Sequence, residues 1–265
     1  MQMTDLATLT SGSGQPGGSG GRDGRVVVAR RLLILATLVT VALWWVPYSN
    51  VVLYPIRLFV TFVHESGHAL ASVTTGGAVD WMRINRDGSG VTETQGGIAF
   101  IIISAGYLGS TIFGALLLQV GRLSRAANWG RATLVALAAC VLTVTLLWAH
   151  RPFSDWFTPA AGIALTIILV LLARIASPRV AAFIVSFLAV QCCLNAVTDQ
   201  ITLYVITSQH MGDNDAVFMQ RAYPYGPPAL FWCIAWMAIS LVVLGFSLRS
   251  LFRSQPGTHR KTAAE

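Results

Sequence analysis

Apolar residues in this chain fall into long blocks divided by short polar stretches. The first block, LLILATLVTVALWWVPY, follows Arg30-Arg31 and ends with Trp44, Trp45 and Tyr48, residue types that gather at membrane–water interfaces. A second block covers residues 50–75 and is interrupted by Arg57 and by the pentapeptide HESGH. Further blocks occupy about 97–119, 132–149, 159–175, 179–207 and 229–250. Each is long enough, or nearly so, to cross about 30 Å of hydrocarbon as a helix. The pattern predicts an all-α polytopic membrane protein with six or seven transmembrane helices. Residues 77–95 change character: they are polar, carry an Asp87-Gly88 turn signal, and predict a small β-hairpin after the HESGH helix.

The flanks divide the chain further. Residues 1–29 are rich in Gly and Ser and are expected to be a disordered tail. Residues 30–252 form the transmembrane unit, and 253–265 a polar C-terminal tail. Residues 208–227 form a polar loop containing HMGDND and a Pro/Gly cluster.

Composition agrees with this picture. Only 11% of the 265 residues are charged, against about 25% in soluble domains. That excludes an ordinary soluble globule. The net charge is +7, and 17 of the 18 basic residues are Arg. They are scattered between apolar blocks rather than gathered on one face, so the partner they imply is the lipid bilayer and not nucleic acid. An integral protein of a bacterial cytoplasmic membrane is the expected setting. Basic residues near 122–131, near 174–179 and in the C-terminal tail belong together on the cytoplasmic side under the positive-inside rule. Placing Arg30-Arg31 there too requires an even number of crossings before Arg122, yet three apolar blocks precede it. Either one block, naturally the one holding HESGH, does not cross fully, or the rule fails once. Cys140, Cys192, Cys193 and Cys233 all lie in apolar blocks without a CxxC spacing, and read as small packing residues.

The acidic residues carry more information. Of eleven, only Glu65 and Asp199 lie deep in apolar blocks. An ionised carboxylate at bilayer depth costs at least about 2.5–3.5 kcal/mol, so each must be paired, metal-bound, hydrated or protonated. Glu65 belongs to His64-Glu65-Ser66-Gly67-His68, an HExxH motif. Histidines four apart on a helix share a face one turn apart and can reach one Zn²⁺, with the Glu beside them to take a proton from a metal-activated water. The alternative is a polar patch lining a helix bundle without metal. A catalytic zinc usually has three protein ligands, and Asp199 is the candidate for the third; otherwise its carboxyl is hydrogen-bonded to Ser, Thr or Arg. Asn195, one turn earlier on the same face, is a candidate substrate-binding residue or a helix–helix hydrogen-bonding group. His150 and His210 sit at block edges and read as interfacial. Asp213 and Asp215 lie in the polar loop and read as helix caps or part of a lid.

These residues resemble the site-2 protease class of intramembrane zinc metallopeptidases, the M50 peptidases, and more narrowly an M50B-like actinobacterial branch. The resemblance is carried by FVHESGHALA (62–71), the hairpin after it, SAGYLGSTIFGALLL (104–118) and LNAVTD (194–199). It implies His64 and His68 as zinc ligands, Glu65 as catalytic base and Asp199 as third ligand. It also implies that the small residues Gly106, Gly109 and Gly114 pack against the catalytic helix. The chain departs from the class in having Gln200 after Asp199 with no Pro nearby, and three apolar blocks between the HESGH and Asp199 blocks.

The expected activity is hydrolysis of peptide bonds in membrane-spanning substrates, by a zinc-activated water with Glu65 as general base. The hairpin would hold the locally unwound substrate by edge pairing; the plainer reading is a surface turn. Two other classes use the same residues. A transporter or channel would route ions past His64, Glu65, His68 and Asp199, although no second copy of the HESGH block marks an inverted repeat. An inactive M50-like scaffold would keep the fold without the chemistry.

Overall fold

The computed structural model describes residues 20–46, 48–123, 126–149 and 155–252. Among them are eight helices and one two-stranded sheet: α1 (Gly20–Trp44), α2 (Ser49–Thr74), β1 (Ala78–Ile84), β2 (Gly90–Gln95), α3 (Ala99–Leu123), α4 (Trp129–Leu147), α5 (Phe157–Ile175), α6 (Pro178–Ser208), α7 (Asp215–Ala222) and α8 (Ala229–Phe252). Five of these helices (α3, α4, α5, α6 and α8) are long and apolar enough to cross a membrane. The chain is an all-α polytopic membrane protein with a small hairpin. Two more long helices, α1 and α2, have 25 and 26 residues but more polar sequences. Helix α1 begins at Gly20, ten residues before the boundary that composition suggested. The remainder of the expected N-terminal tail, His150 and the C-terminal tail lie outside the described residues.

Local sequence explains where the elements start and stop. Helix α2 ends at Thr75, whose amide reaches back to the carbonyls of Ala71 and Ser72, and Gly76 follows at φ 84°. The hairpin turns at Asp87-Gly88 as the sequence predicts. Gly88 takes φ 86°, a region open to glycine, and Asp87 accepts hydrogen bonds from the amide and hydroxyl of Ser89. The strands pair antiparallel from Ala78 opposite Gln95 to Ile84 opposite Gly90, with a bulge between Val79 and Trp81. Helix α6 is capped by the Ser177 hydroxyl, which accepts from the Val180 amide, with Pro178 at its start.

Two apolar cores follow. The larger joins α1 to α6 and buries Phe62, Met82, Ile84, Leu134 and Val185. The smaller gathers Leu203, Ala216, Met219, Cys233 and Trp236 from α6, α7 and α8. Helix α3 lies between α2 and α6 and is drawn tight by glycines. A side chain at Gly67 would strike the Ala105 carbonyl, and one at Gly114 would come within 2.9 Å of Cys193 Sγ on α6. Small residues permit this backbone approach. Gly109 faces Gly67 on α2, whereas Gly114 meets α6 rather than the HESGH helix.

The outer edge of β1 is occupied. The Met82 amide donates to the Trp148 carbonyl (2.9 Å), and the Ile84 amide to the Thr158 hydroxyl (2.9 Å). These contacts fix the hairpin to the ends of α4 and α5. The opposite edge, on β2, pairs with no other strand among the described residues.

Candidate metal centre

Helix geometry alone brings His64 and His68 to one face of α2, and their Nε2 atoms stand 3.1 Å apart. Each ring is set by a neighbour. His68 Nδ1 lies 2.7 Å from the Ile102 carbonyl of α3, so it carries the proton and leaves the Nε2 lone pair toward its partner. His64 meets the Tyr107 ring edge-on, with centroids 4.6 Å apart, and Tyr107 stacks on Trp236 at 5.7 Å. Gly106 completes the arrangement from α3: a Cβ there would collide with both Nε2 atoms.

The third group is Asp215, at the first position of α7. Its Oδ2 lies 3.6 Å from His64 Nε2 and 3.7 Å from His68 Nε2. One ligand atom from each of the three residues falls within 4.8 Å of the others. Burial raises the Asp215 carboxyl, but when the facing His68 and His64 rings are protonated their charge outweighs the effect of burial and holds it below the usual carboxylate range. Tetrahedral zinc with bonds of about 2.0–2.1 Å places its ligand atoms roughly 3.3 Å apart. The observed separations of 3.1, 3.6 and 3.7 Å fit that requirement. Two imidazoles and a carboxylate are also a donor set suited to zinc.

A chain reversal delivers Asp215. Helix α6 ends at Ser208, and His210 and Gly212 take φ 55° and 76° as the backbone turns. The Asn214 side chain then caps α7, accepting from the amides of Ala216 (3.1 Å) and Val217 (3.2 Å) and from the Thr207 hydroxyl (3.2 Å). Met219 and Ala216 seat α7 in the smaller core.

Glu65 is 3% exposed and points at the hairpin. The Thr92 hydroxyl of β2 donates to its Oε2 at 2.6 Å. Gly90 runs so close to Oε1 that a Cβ there would collide with it. The carboxylate is thus held by the Thr92 hydroxyl at Oε2, with Gly90 packed close against it at Oε1.

His64, Glu65, His68, Thr92, Tyr107 and Asp215 line one cavity of about 760 Å³, within the range of ligand sites. Residues Gly90 to Thr94 of β2 form part of its wall. Asn195 and Asp199 line it from α6, but neither joins the cluster of ligand atoms. Asn195 Nδ2 donates to the Gln191 carbonyl one turn earlier, at 2.9 Å. The structure therefore brings together His64, Glu65 and His68 with Asp215, while Asn195 and Asp199 line the same cavity outside the ligand-atom cluster.

Residues 33–247 match the Peptidase M50B-like family. The chain belongs to that family. No curated protein and no solved structure matches it. Members of the M50 class are membrane-embedded peptidases that generally depend on zinc, and this M50B-like chain is an integral membrane protein with a possible metal-binding triad.

Reading the sequence did not single out Asp215, because the search for a third ligand was confined to acids inside apolar blocks. One signal was available. Asn-Asp-Ala ahead of the short amphipathic stretch AVFMQRA is a helix start. It sits seven residues after α6 ends and so can fold back onto the same cavity.

Proposed function

We propose that this M50B-like chain is an intramembrane zinc metalloprotease that hydrolyses peptide bonds of membrane-spanning proteins or peptides, in the cytoplasmic membrane of a bacterium. The observation that carries the proposal is the convergence of His64, His68 and Asp215 beside a buried Glu65, in a cavity walled by the unpaired edge of a strand. His64, His68 and Asp215 would hold the metal. Zinc bound there supplies Lewis-acid polarisation of a water and of the scissile carbonyl.

The chain's own residues do the rest. Glu65 takes a proton from the attacking water and passes it to the leaving amine. Thr92 keeps Glu65 Oε2 engaged, so Oε1, which accepts no hydrogen bond among the described residues, is the proton acceptor. The Ile102 carbonyl holds the His68 ring in the tautomer that faces the metal. An unwound segment of substrate adds to the open edge of β2, where backbone groups give affinity without demanding a sequence. The hairpin suits that task because β1 is already hydrogen-bonded to Trp148 and Thr158, so only β2 can accept another strand.

The test is cleavage of a transmembrane peptide by detergent-purified protein and by its Glu65→Gln variant, with zinc measured in both. A protease loses cleavage in the variant and retains about one zinc per chain. A scaffold shows no cleavage in either protein, and a transporter shows altered ion flux instead. Asp199 as the third ligand makes a different forecast: zinc would be lost from Asp199→Ala and kept by Asp215→Ala.

A further inference from the structure

The cavity carries an imbalance of charge that the hydrolytic machinery does not use up. Six carboxylates line it, those of Glu65, Asp87, Glu93, Asp199, Asp213 and Asp215, against one guanidinium, Arg57. Four of the six are engaged within the chain. Glu65 accepts from Thr92, Asp87 from Ser89, Asp213 from Arg221 at 2.6 and 2.8 Å, and Asp215 faces the histidine pair. Glu93 lies exposed on the hairpin, where water solvates it. Asp199 is exposed too, but it lies on α6, a membrane-spanning helix, and has no hydrogen-bond or ion-pair partner among the described residues. The charges of His64 and Arg57 reach Asp199, but Arg57 packs along Gly88 at the hairpin turn and forms no ion pair with it within 4 Å.

A carboxylate in a spanning helix that faces a cavity is retained where something in the cavity answers it. Its neighbours on α6 describe what that is. Asn195, Asp199 and Thr202 follow at about one-turn spacing and all line the cavity, so α6 presents a polar row to whatever lies along β2. One N–H of Asn195 Nδ2 is taken by the Gln191 carbonyl, and the row's acceptor oxygens are Asn195 Oδ1 and the Asp199 carboxylate. An acceptor row with one full negative charge recognises a cationic side chain.

We propose that Asp199 is a specificity-determining residue that receives a lysine or arginine side chain of the substrate, close to the scissile bond, while the substrate backbone lies on β2. This rests on the proteolytic reading above. It gives Asp199 a role in choosing the substrate rather than in holding the metal. It also narrows the substrate class to membrane segments that carry a basic residue where they unwind. A lone cation within a membrane segment is costly in lipid, and a cavity that pairs it lowers the cost of drawing that segment in.

The experiment uses the full chain in detergent, loaded with zinc, and a set of membrane peptides that differ at one position. That position is stepped through the three residues on either side of the bond cleaved and holds Lys, Arg, norleucine or Glu. The expected result is a kcat/KM for Lys or Arg about tenfold above norleucine at one position. The ratio should fall to near one in Asp199→Asn, persist in Glu93→Gln, and favour Glu in Asp199→Lys. Zinc content should be the same in Asp199→Asn as in the parent. Binding of the same peptides to the Glu65→Gln chain, followed by fluorescence anisotropy with and without Asp199→Asn, reads the preference without turnover. Should no peptide be cleaved, the proteolytic reading fails, while the anisotropy ratio still decides whether Asp199 selects cations. The proposal is overturned by equal binding and cleavage of Lys, norleucine and Glu peptides. It is equally overturned by a preference that survives Asp199→Asn or vanishes in Glu93→Gln, or by loss of zinc from Asp199→Asn.

Discussion

The two walls of the cavity are built in opposite ways. On one side, α2 supplies His64, Glu65 and His68 from five consecutive residues, and helical periodicity alone aligns them. Neighbours then lock them: Ile102 holds His68, Thr92 holds Glu65, and Gly106 leaves room for both imidazoles. On the other side, Asp215 arrives from a separate eight-residue helix seated in a separate apolar core. Its position depends on a chain reversal, an Asn cap and the packing of Met219. The α2 wall is fixed by local geometry, whereas the α7 wall is fixed by tertiary structure. The metal would tie the two cores together, so its affinity measures how well the second wall is held.

The sharpest break in this comparison is chemical. Glu65→Gln keeps the shape and the Thr92 contact but removes the proton acceptor. Cleavage should fall by about 10³-fold, within the 10²–10⁴-fold range of general-base catalysis, with zinc retained. Asp215→Ala attacks the other wall. Zinc affinity should fall by at least about 100-fold, since loss of a direct ligand exceeds the 10–100-fold cost of losing its outer support. Competition with a chromophoric chelator measures it, and an unchanged affinity would remove Asp215 from the site.

The same contrast explains what could be read in the sequence. The HESGH wall is legible because five contiguous letters on a helix determine a geometry. The hairpin is legible because Asp87-Gly88 fixes a turn between two short strands. The spanning helices are legible because hydrocarbon thickness sets their length. Asp215 is only partly so: Asn214-Asp215 marks a helix start, but the order of residues does not say that this helix packs back onto the histidine face. Asp199 drew attention for a sound reason, its cost in an apolar helix, yet that cost does not by itself assign it a function. Gly114 shows the same limit: its small size predicts a close helix contact, but only the fold says that α6 and not α2 is the partner.

Intermediate effects probe how the α2 wall is locked. Gly106→Ala adds one methyl group where both Nε2 atoms lie. The imidazoles must swing away, so zinc affinity should drop by about tenfold or more, the scale for disturbing ligand orientation. Gly109→Ala, whose added carbon would sit 3.6 Å from Gly67, an ordinary contact, is the matched control and should bind zinc like the parent. Thr92→Val removes the hydroxyl that holds Glu65 Oε2. It should lower kcat by about tenfold and leave zinc content unchanged, since a mis-set base costs turnover and not metal.

The smallest effect tests the α7 wall without touching a ligand. Asn214 caps α7 through two backbone amides and holds Thr207 at the end of α6. Replacing such a cap with Ala costs about 1 kcal/mol. If α7 had its position set independently of the metal, that cost would appear only as lower thermal stability. If zinc and α7 hold each other, part of it must appear in metal affinity. Asn214→Ala should therefore weaken zinc by up to about fivefold, the equilibrium equivalent of 1 kcal/mol. Asn214→Asp, which retains a capping oxygen, should recover most of the loss. A zinc affinity identical in the parent, Asn214→Ala and Asn214→Asp would mean that the second wall is as rigid as the first, despite being assembled from distant parts of the chain.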